Sequence, residues 1–281
     1  HSMNKTRVLL LTALAMLAFA ANSLLCRVAL RETGIDAASF TGIRIASGAL
    51  ALWLIVRLRE GGLGGHGNWP SAFALFAYAA AFSYAYLSLP AAVGALLLFG
   101  AVQATMIGYG FARGERFDAR QSAGLALAAA GFVGLLLPGL SAPPLGGSLL
   151  MIAAGIAWGV YSLRGRGGGN PTASTAGNFV RALPFAAVLS LAMLPQAAVD
   201  AAGVGYAVAS GALASGLGYA IWYTALPGLR ASSAATVQLS VPVIAALGGA
   251  LFLGEAITLR LVLASVAVLG GIALVIGGRA R

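Results

Sequence analysis

Gly114-Glu115-Arg116-Phe117-Asp118-Ala119-Arg120 closes one long apolar run, and Gly254-Glu255-Ala256-Ile257-Thr258-Leu259-Arg260 closes another, at an offset of 140 residues. Working outward, Arg27 and Arg44 correspond to Arg164 and Arg181 at an offset of 137. Ten apolar stretches surround these landmarks and divide into two copies of one five-helix pattern. An odd number of helices per copy forces the second copy to insert upside down relative to the first. Inverted repeats of this kind build secondary transporters, with the substrate site near the bilayer midplane between the halves. The expected fold is therefore all-α: ten transmembrane helices as two inverted five-helix repeats, 1–140 and 145–281.

Composition agrees. The 281 residues are 60% hydrophobic and 9% charged, with a mean hydropathy of +0.92. A soluble domain of this size needs far more charge to cover its surface, so the bilayer is the expected solvent. A net charge of +10 raises nucleic acid as a partner. The cations sit at helix ends instead of forming a basic stripe, which argues against that role. Cys26 alone precludes an intramolecular disulfide or a cysteine metal cluster. His1-Ser2 before Met3 reads as an appended scar. Lys5, Arg7 and Ala18-Phe19-Ala20 imitate a secretory signal, but the apolar run continues to Leu30 and has a counterpart in the second copy.

The predicted spans are 8–30, 38–57, 70–88, 91–112, 119–137, 147–164, 173–194, 203–225, 231–253 and 259–277. Each is close to the ~20 residues that cross a ~30 Å hydrocarbon core. Tight joints fall at Pro90 and at Pro227-Gly228, and Leu140-Ser141-Ala142-Pro143-Pro144 links the copies. Orientation follows from the basic residues. With the N-terminus in the cytoplasm, Lys5, Arg7, Arg57, Arg59, Arg113, Arg116, Arg120, Arg164, Arg166, Arg230, Arg279 and Arg281 lie inside, and Arg31 and Arg260 outside. Both termini are thus expected in the cytoplasm. Gly124, Ala128, Gly131 and Gly134 in the fifth span, and Gly270, Gly271 and Gly277 in the tenth, allow close backbone approach. Packing within one chain is favoured over a homodimer contact.

Ala112-Arg113-Gly114-Glu115 and Leu253-Gly254-Glu255, followed by Ala123-Gly124 and Gly270-Gly271, resemble the EamA-type domain of the drug/metabolite transporter superfamily, present twice. The resemblance covers essentially the whole chain. It implies a ten-helix inner-membrane exporter that moves metabolites or amino acids by alternating access through a central cavity. Within the superfamily the chain looks most like the YddG-type aromatic amino-acid exporters. One departure is Pro242 in the ninth span, where the fourth has Val102.

The acidic residues are Glu32, Asp36, Glu60, Glu115, Asp118, Asp200 and Glu255, all in loops or at helix ends. No midplane carboxylate is available to relay protons or hold organic cations. Transport not tightly coupled to protons is therefore expected, with selection by shape, stacking and neutral hydrogen bonds. The substrate-binding candidates are Asn22, Tyr78, Phe82, Gln103, Trp158, Trp222 and Gln238: rings and amides deep in their helices, suited to an amino acid or similar neutral metabolite. The bland alternative is packing. Tyr86, Tyr109, Tyr206 and Tyr219 read as packing or interface anchors. Arg44 with Glu255 and Arg181 with Glu115 are candidate alternating gates, against the simpler reading that each arginine snorkels or caps carbonyls. Pro242 and Pro184 are hinge candidates. No cofactor, metal or enzymatic constellation is expected. A multidrug or nucleotide-sugar and phosphometabolite transporter is the alternative within the same superfamily.

Overall fold

The computed structural model describes residues 3–62, 64–166, 169–229 and 231–279. His1-Ser2, Arg230 and Arg281 lie outside these residues, as do the side chains of Ser232 and Arg279. The described residues form helices and no strand: α1 (Lys5–Glu32), α2 (Ala37–Glu60), α3 (Trp69–Ala85), α4 (Ala91–Ala112), α5 (Ala119–Leu136), α6 (Leu145–Arg164) and α7 (Pro171–Ala192). Then α8 runs through Ala201–Val208, a π-helical stretch Ala209–Leu217, and Gly218–Ala225. Next, α9 comprises Ala231–Val237 and Ser240–Leu253, and α10 is Leu259–Arg279. Nine of these rods are long and apolar enough to cross a membrane. The tenth, α3, has 17 residues, about 26 Å at 1.5 Å per residue.

Helix starts are chemically marked. Asp36, Asn68, Asn170 and Asp200 each accept a hydrogen bond from a backbone N–H in the following turn, and Asp118 with Gln121 forms a capping box. These caps satisfy donors that would otherwise face lipid or loop unpaired. At the other end of α5, the Arg260 guanidinium donates to the carbonyls of Gly134, Leu135 and Leu137 and to the Ser141 hydroxyl. A cation on the final carbonyls of a helix also complements its dipole. This clip ties the linker between the copies to α10.

The expected single ninth helix is interrupted. Pro242 lacks the N–H that would bond the Gln238 carbonyl, and its ring crowds that oxygen. The helix breaks at Gln238 and Leu239 and restarts at Ser240. Pro184, by contrast, sits inside an unbroken α7.

The extensive contacts pair α5 with α10, α2 with both α7 and α8, α3 with α7, and α4 with α9. They also pair α3 and α4 with α6, and α8 and α9 with α1. Advancing each helix number by five returns the same pairs. Large apolar side chains such as Leu9, Leu10, Leu14 and Leu17 of α1, and Leu247, Leu251 and Phe252 of α9, are exposed around the outside. Glycine governs the α5–α10 seam. A Cβ built on Gly124 would come within 2.5 Å of the Gly271 carbonyl oxygen, and one on Gly271 within 2.3 Å of the Gly124 oxygen. Gly124, Gly131 and Gly271 are used in this packing inside the chain, whereas Gly134 and Gly270 face open space.

Two acidic side chains lock α2 to α8. Asp36 accepts from the backbone N–H groups of Ser39 and Ala198, while Asp200 accepts from Gly34 and Gly203. Burial would raise the Asp36 carboxyl, but the hydrogen bonds from Ser39 and Ala198 outweigh it and hold it below its ordinary value. Backbone donors from Gly34 and Gly203 likewise lower Asp200.

Two outcomes follow. Gly124→Leu forces the α5–α10 backbones apart and lowers stability by about 1–3 kcal/mol. Gly134→Ala, whose Cβ meets nothing within 4 Å, is neutral or slightly stabilising. Thermal unfolding in detergent micelles separates the two, and equal melting points would refute the seam. In the Asp36–Asp200 clasp the folded state ionises these groups more readily than the unfolded chain. Their contribution is present above the ordinary 3.8 and is lost as pH falls through the lower folded value. Asp200→Asn should therefore flatten the acid limb of stability against pH, and an unchanged limb would exclude the clasp.

Candidate substrate site

Arg44 lies on α2 and is 1% exposed. Its Nη2 donates to the Tyr78 hydroxyl at 2.9 Å and its Nε to the Ser215 hydroxyl at 3.2 Å. The guanidinium carbon lies 5.1 Å from the Tyr78 ring centre and 4.9 Å from that of Phe82. The electron-rich ring faces thus replace part of the lost hydration. Ser215 in turn donates to Asn22 Oδ1 at 3.1 Å, and Ser210 donates to the same oxygen at 2.9 Å.

The π-helical stretch makes this possible. In an ordinary α-helix, residues five apart are rotated about 140° from one another. Bonding from i to i+5 widens the turn, so such residues share a face. Ser210 and Ser215 therefore both reach Asn22. Close approach of α8 to α2 needs Gly211, where a Cβ would fall 2.1 Å from the Arg44 carbonyl oxygen.

Rings continue the cluster from Arg44. Tyr78 lies 4.9 Å from Trp158, centre to centre, and Trp158 lies 5.4 Å from Tyr219 and 5.1 Å from Tyr161. Phe19 touches Tyr219 at 5.8 Å and Trp222 at 5.9 Å. The assembly draws on α1, α2, α3, α6 and α8. Tyr161 bonds Thr175 and accepts from Asn178, extending the polar network to α7.

The structure brings Asn22, Tyr78, Phe82 and Trp158 together and attaches Trp222 through Phe19. Gln103 is half-buried on α4 and Gln238 bonds the Ala234 carbonyl one turn back; among the described residues no hydrogen bond ties either to the cluster. Sequence reasoning missed Ser210, Ser215 and Phe19, and it read Tyr219 as packing or an anchor at the interface. Tyr219 is in fact 3% exposed in the ring cluster. The available signal was the small-residue run Ala209-Ser210-Gly211-Ala212-Leu213-Ala214-Ser215-Gly216, which marks close helix approach around paired hydroxyls. Tyr86 is also interior: fully buried, it bonds the Ala91 carbonyl. Tyr109, at 44% exposed, does lie at the periphery.

The expected gate pairs are not the pairs observed. Glu255 binds Arg27 at 3.1 Å, lies 3.7 Å from Arg31, and accepts the Ala91 N–H. It is therefore committed to the end of α1 and the start of α4, while Arg44 is held deep among Tyr78, Phe82 and Ser215. A crevice of about 280 Å³ opens beside Glu255, between Pro90, Pro144 and Leu261. Arg181 donates to the carbonyl of His66, in the loop before α3, and to that of Gly177, one turn back within α7. The Glu115 carboxylate packs over Gly110, where an added Cβ would stand 2.6 Å from Oε2. For Arg44 the snorkelling alternative fails as well, since its guanidinium is buried. The cluster is thus not neutral: it encloses the Arg44 guanidinium. Among the described residues, no three histidine, cysteine or acidic side chains gather as a metal site.

Residues 145–277 match the model of the EamA-like transporter family. The uncharacterized protein PA1977 of Pseudomonas aeruginosa is 61% identical over 274 residues, covering 97% of this chain and 96% of that protein. A solved crystal structure matches with a TM-score of 0.70 at 20% identity, over 99% of this chain and 100% of its own. At that identity the likeness is one of fold.

Removing the Tyr78 hydroxyl leaves a buried, charged donor without its acceptor. Tyr78→Phe is expected to cost about 1.5–3 kcal/mol, read as a lowered melting temperature. The exposed Tyr109→Phe should leave the melting temperature unchanged. Equal behaviour of the two variants would dissolve the Arg44–Tyr78 bond as a structural element.

Proposed function

The chain belongs to the EamA-like transporter family, and from that premise we propose that it exports amino acids, aromatic and other neutral ones, or similarly small metabolites across the inner membrane. Family membership makes it a multi-pass membrane protein of small-molecule transport. The finer reading rests on one observation: the Asn22–Ser215–Arg44–Tyr78 network and the rings of Phe82, Trp158 and Tyr219 meet where helices of both copies cross. Rings supply stacking area, and amide and hydroxyl groups supply orientation, which is what a small amphipathic solute requires.

Residues 1–140 and 145–281 act as the two inverted halves. Alternating access consists of their rocking about this cluster, with both termini in the cytoplasm. The break at Pro242 supports a hinge in α9, and Pro184, inside a continuous α7, is the second hinge candidate. The Glu255–Arg27–Arg31 ion pairs support closure of one end. In place of the two expected arginine–glutamate gates, an α1–α9 clasp at one end is the contact to be broken. With Glu255 committed to those arginines, no carboxylate sits in the cluster to relay protons, so flux is expected without tight proton coupling.

The test is flux of labelled tryptophan, threonine and methionine across proteoliposomes of the pure protein, with and without an imposed pH gradient. Saturable flux that needs no gradient is the expected result. Absence of flux for every amino acid, with the protein folded, would refute the substrate assignment. Stoichiometric proton movement would refute the uncoupled mechanism.

A further inference from the structure

A guanidinium in an apolar bundle needs a counter-charge or a full set of hydrogen-bond partners, and Arg44 has neither. Among the described residues, two buried side-chain polar atoms lack a partner: the Thr12 hydroxyl and Arg44 Nη1. An orphaned hydroxyl is a modest cost. An ionised nitrogen left unpaired in a low-dielectric interior is far more expensive. The neighbours that touch Arg44, namely Tyr78, Phe82 and Ser215, are all neutral and occupy Nη2, Nε and the ring faces. Asp36 and Asp200 are spent on loop N–H groups, Glu255 on Arg27, Arg31 and Ala91, and Glu60 on Asn170. None of these carboxylates reaches Arg44.

We propose that Arg44 Nη1 receives a carboxylate of the transported solute, which makes a free carboxylate an obligatory feature of the substrate. The proposal rests on the transport reading above and names the group by which that site recognises its solute. A single positive charge suits a monoanionic carboxylate. A phosphate dianion would need further cations, and Arg27 is engaged by Glu255 and Arg181 by the His66 and Gly177 carbonyls. The Arg44 fork is already fixed by Tyr78 and Ser215, so little freedom is lost when an oxygen arrives. Tyr78 and Phe82 face the guanidinium, and Trp158 and Tyr219 continue the ring cluster from Tyr78, to cover the remainder of the solute. An organic cation meets a like charge here and is rejected.

Binding to the full-length protein in detergent is measured by thermal shift, and transport by flux in proteoliposomes. Three probes share one ring system: tryptophan, tryptophanamide, which lacks the carboxylate, and indole-3-propionate, which lacks the amine. A set of aliphatic carboxylates and matching amides extends the comparison to other side chains. Carboxylates are expected to bind at least tenfold tighter than their amides. Arg44→Gln should reduce that preference to within about twofold, and Arg44→Lys should retain part of it. Should Arg44→Gln fail to fold, the comparison of analogues on the unaltered protein decides alone. Amides that bind as well as carboxylates, or a carboxylate preference that survives in folded Arg44→Gln, would overturn the proposal. Binding by no carboxylate of the set would overturn it too. Amino-acid flux with equal competition by amides leaves the transport reading standing and removes Arg44's role. Carboxylate-selective, Arg44-dependent binding without flux supports the site and removes the transport reading.

Discussion

A charged guanidinium enclosed by apolar helices sets the terms for the centre of this molecule. Arg44 is buried in this conformation, so its surroundings replace hydration with ring faces and hydroxyl acceptors. Each replacement comes from a different helix: Tyr78 and Phe82 from α3, Ser215 from α8. The Ser215 hydroxyl then orients Asn22 on α1. Satisfying one charge thereby fixes the mutual rotation of four helices, and the π-helical turn of α8 is the local distortion that lets two serines serve Asn22.

The helix ends follow a different logic, that of backbone groups that must be paired wherever lipid or loop surrounds them. Asp36 and Asp200 cross-link the loops before α2 and α8. Asn170 and Glu60 join one another beyond the opposite ends of α7 and α2. Glu255 gathers Arg27, Arg31 and the first N–H of α4. These contacts hold the periphery while the centre keeps an unsatisfied donor. The two arginines at equivalent positions of the copies have unequal fates, Arg44 in the ring cluster and Arg181 on the His66 and Gly177 carbonyls. Sequence symmetry between them therefore coexists with conformational asymmetry.

Much of the site was legible in the chain before folding was considered. Asn22, Tyr78, Phe82 and Trp158 stood out because polar or ring-bearing residues deep in apolar helices are few, and the structure places them within one cluster. Gln103 and Gln238 stood out on the same grounds and do not join it, because depth along a helix does not reveal which way a side chain faces. Tyr219 was set aside as packing or an interface anchor for the converse reason. Ser210 and Ser215 were invisible to an argument built on 3.6 residues per turn, since only a π-helical turn aligns them.

The sequence by itself determined the class of the molecule. Apolar spans of bilayer length, basic residues at alternate ends, and the doubled Gly-Glu landmarks follow from local hydrophobicity, which needs no knowledge of contacts. Glycines in the fifth and tenth spans also anticipated close packing within the chain, while the fold decided that these two helices pack on each other. Only the tertiary structure decided partners. It gave Glu255 to Arg27 and Arg31 in place of Arg44, and it sank Arg44 into the bundle without a counter-ion. The physical reason is that an ion pair depends on helix rotation and close approach between segments far apart in the chain. Those quantities are set by packing of the whole bundle and are not written in any one segment.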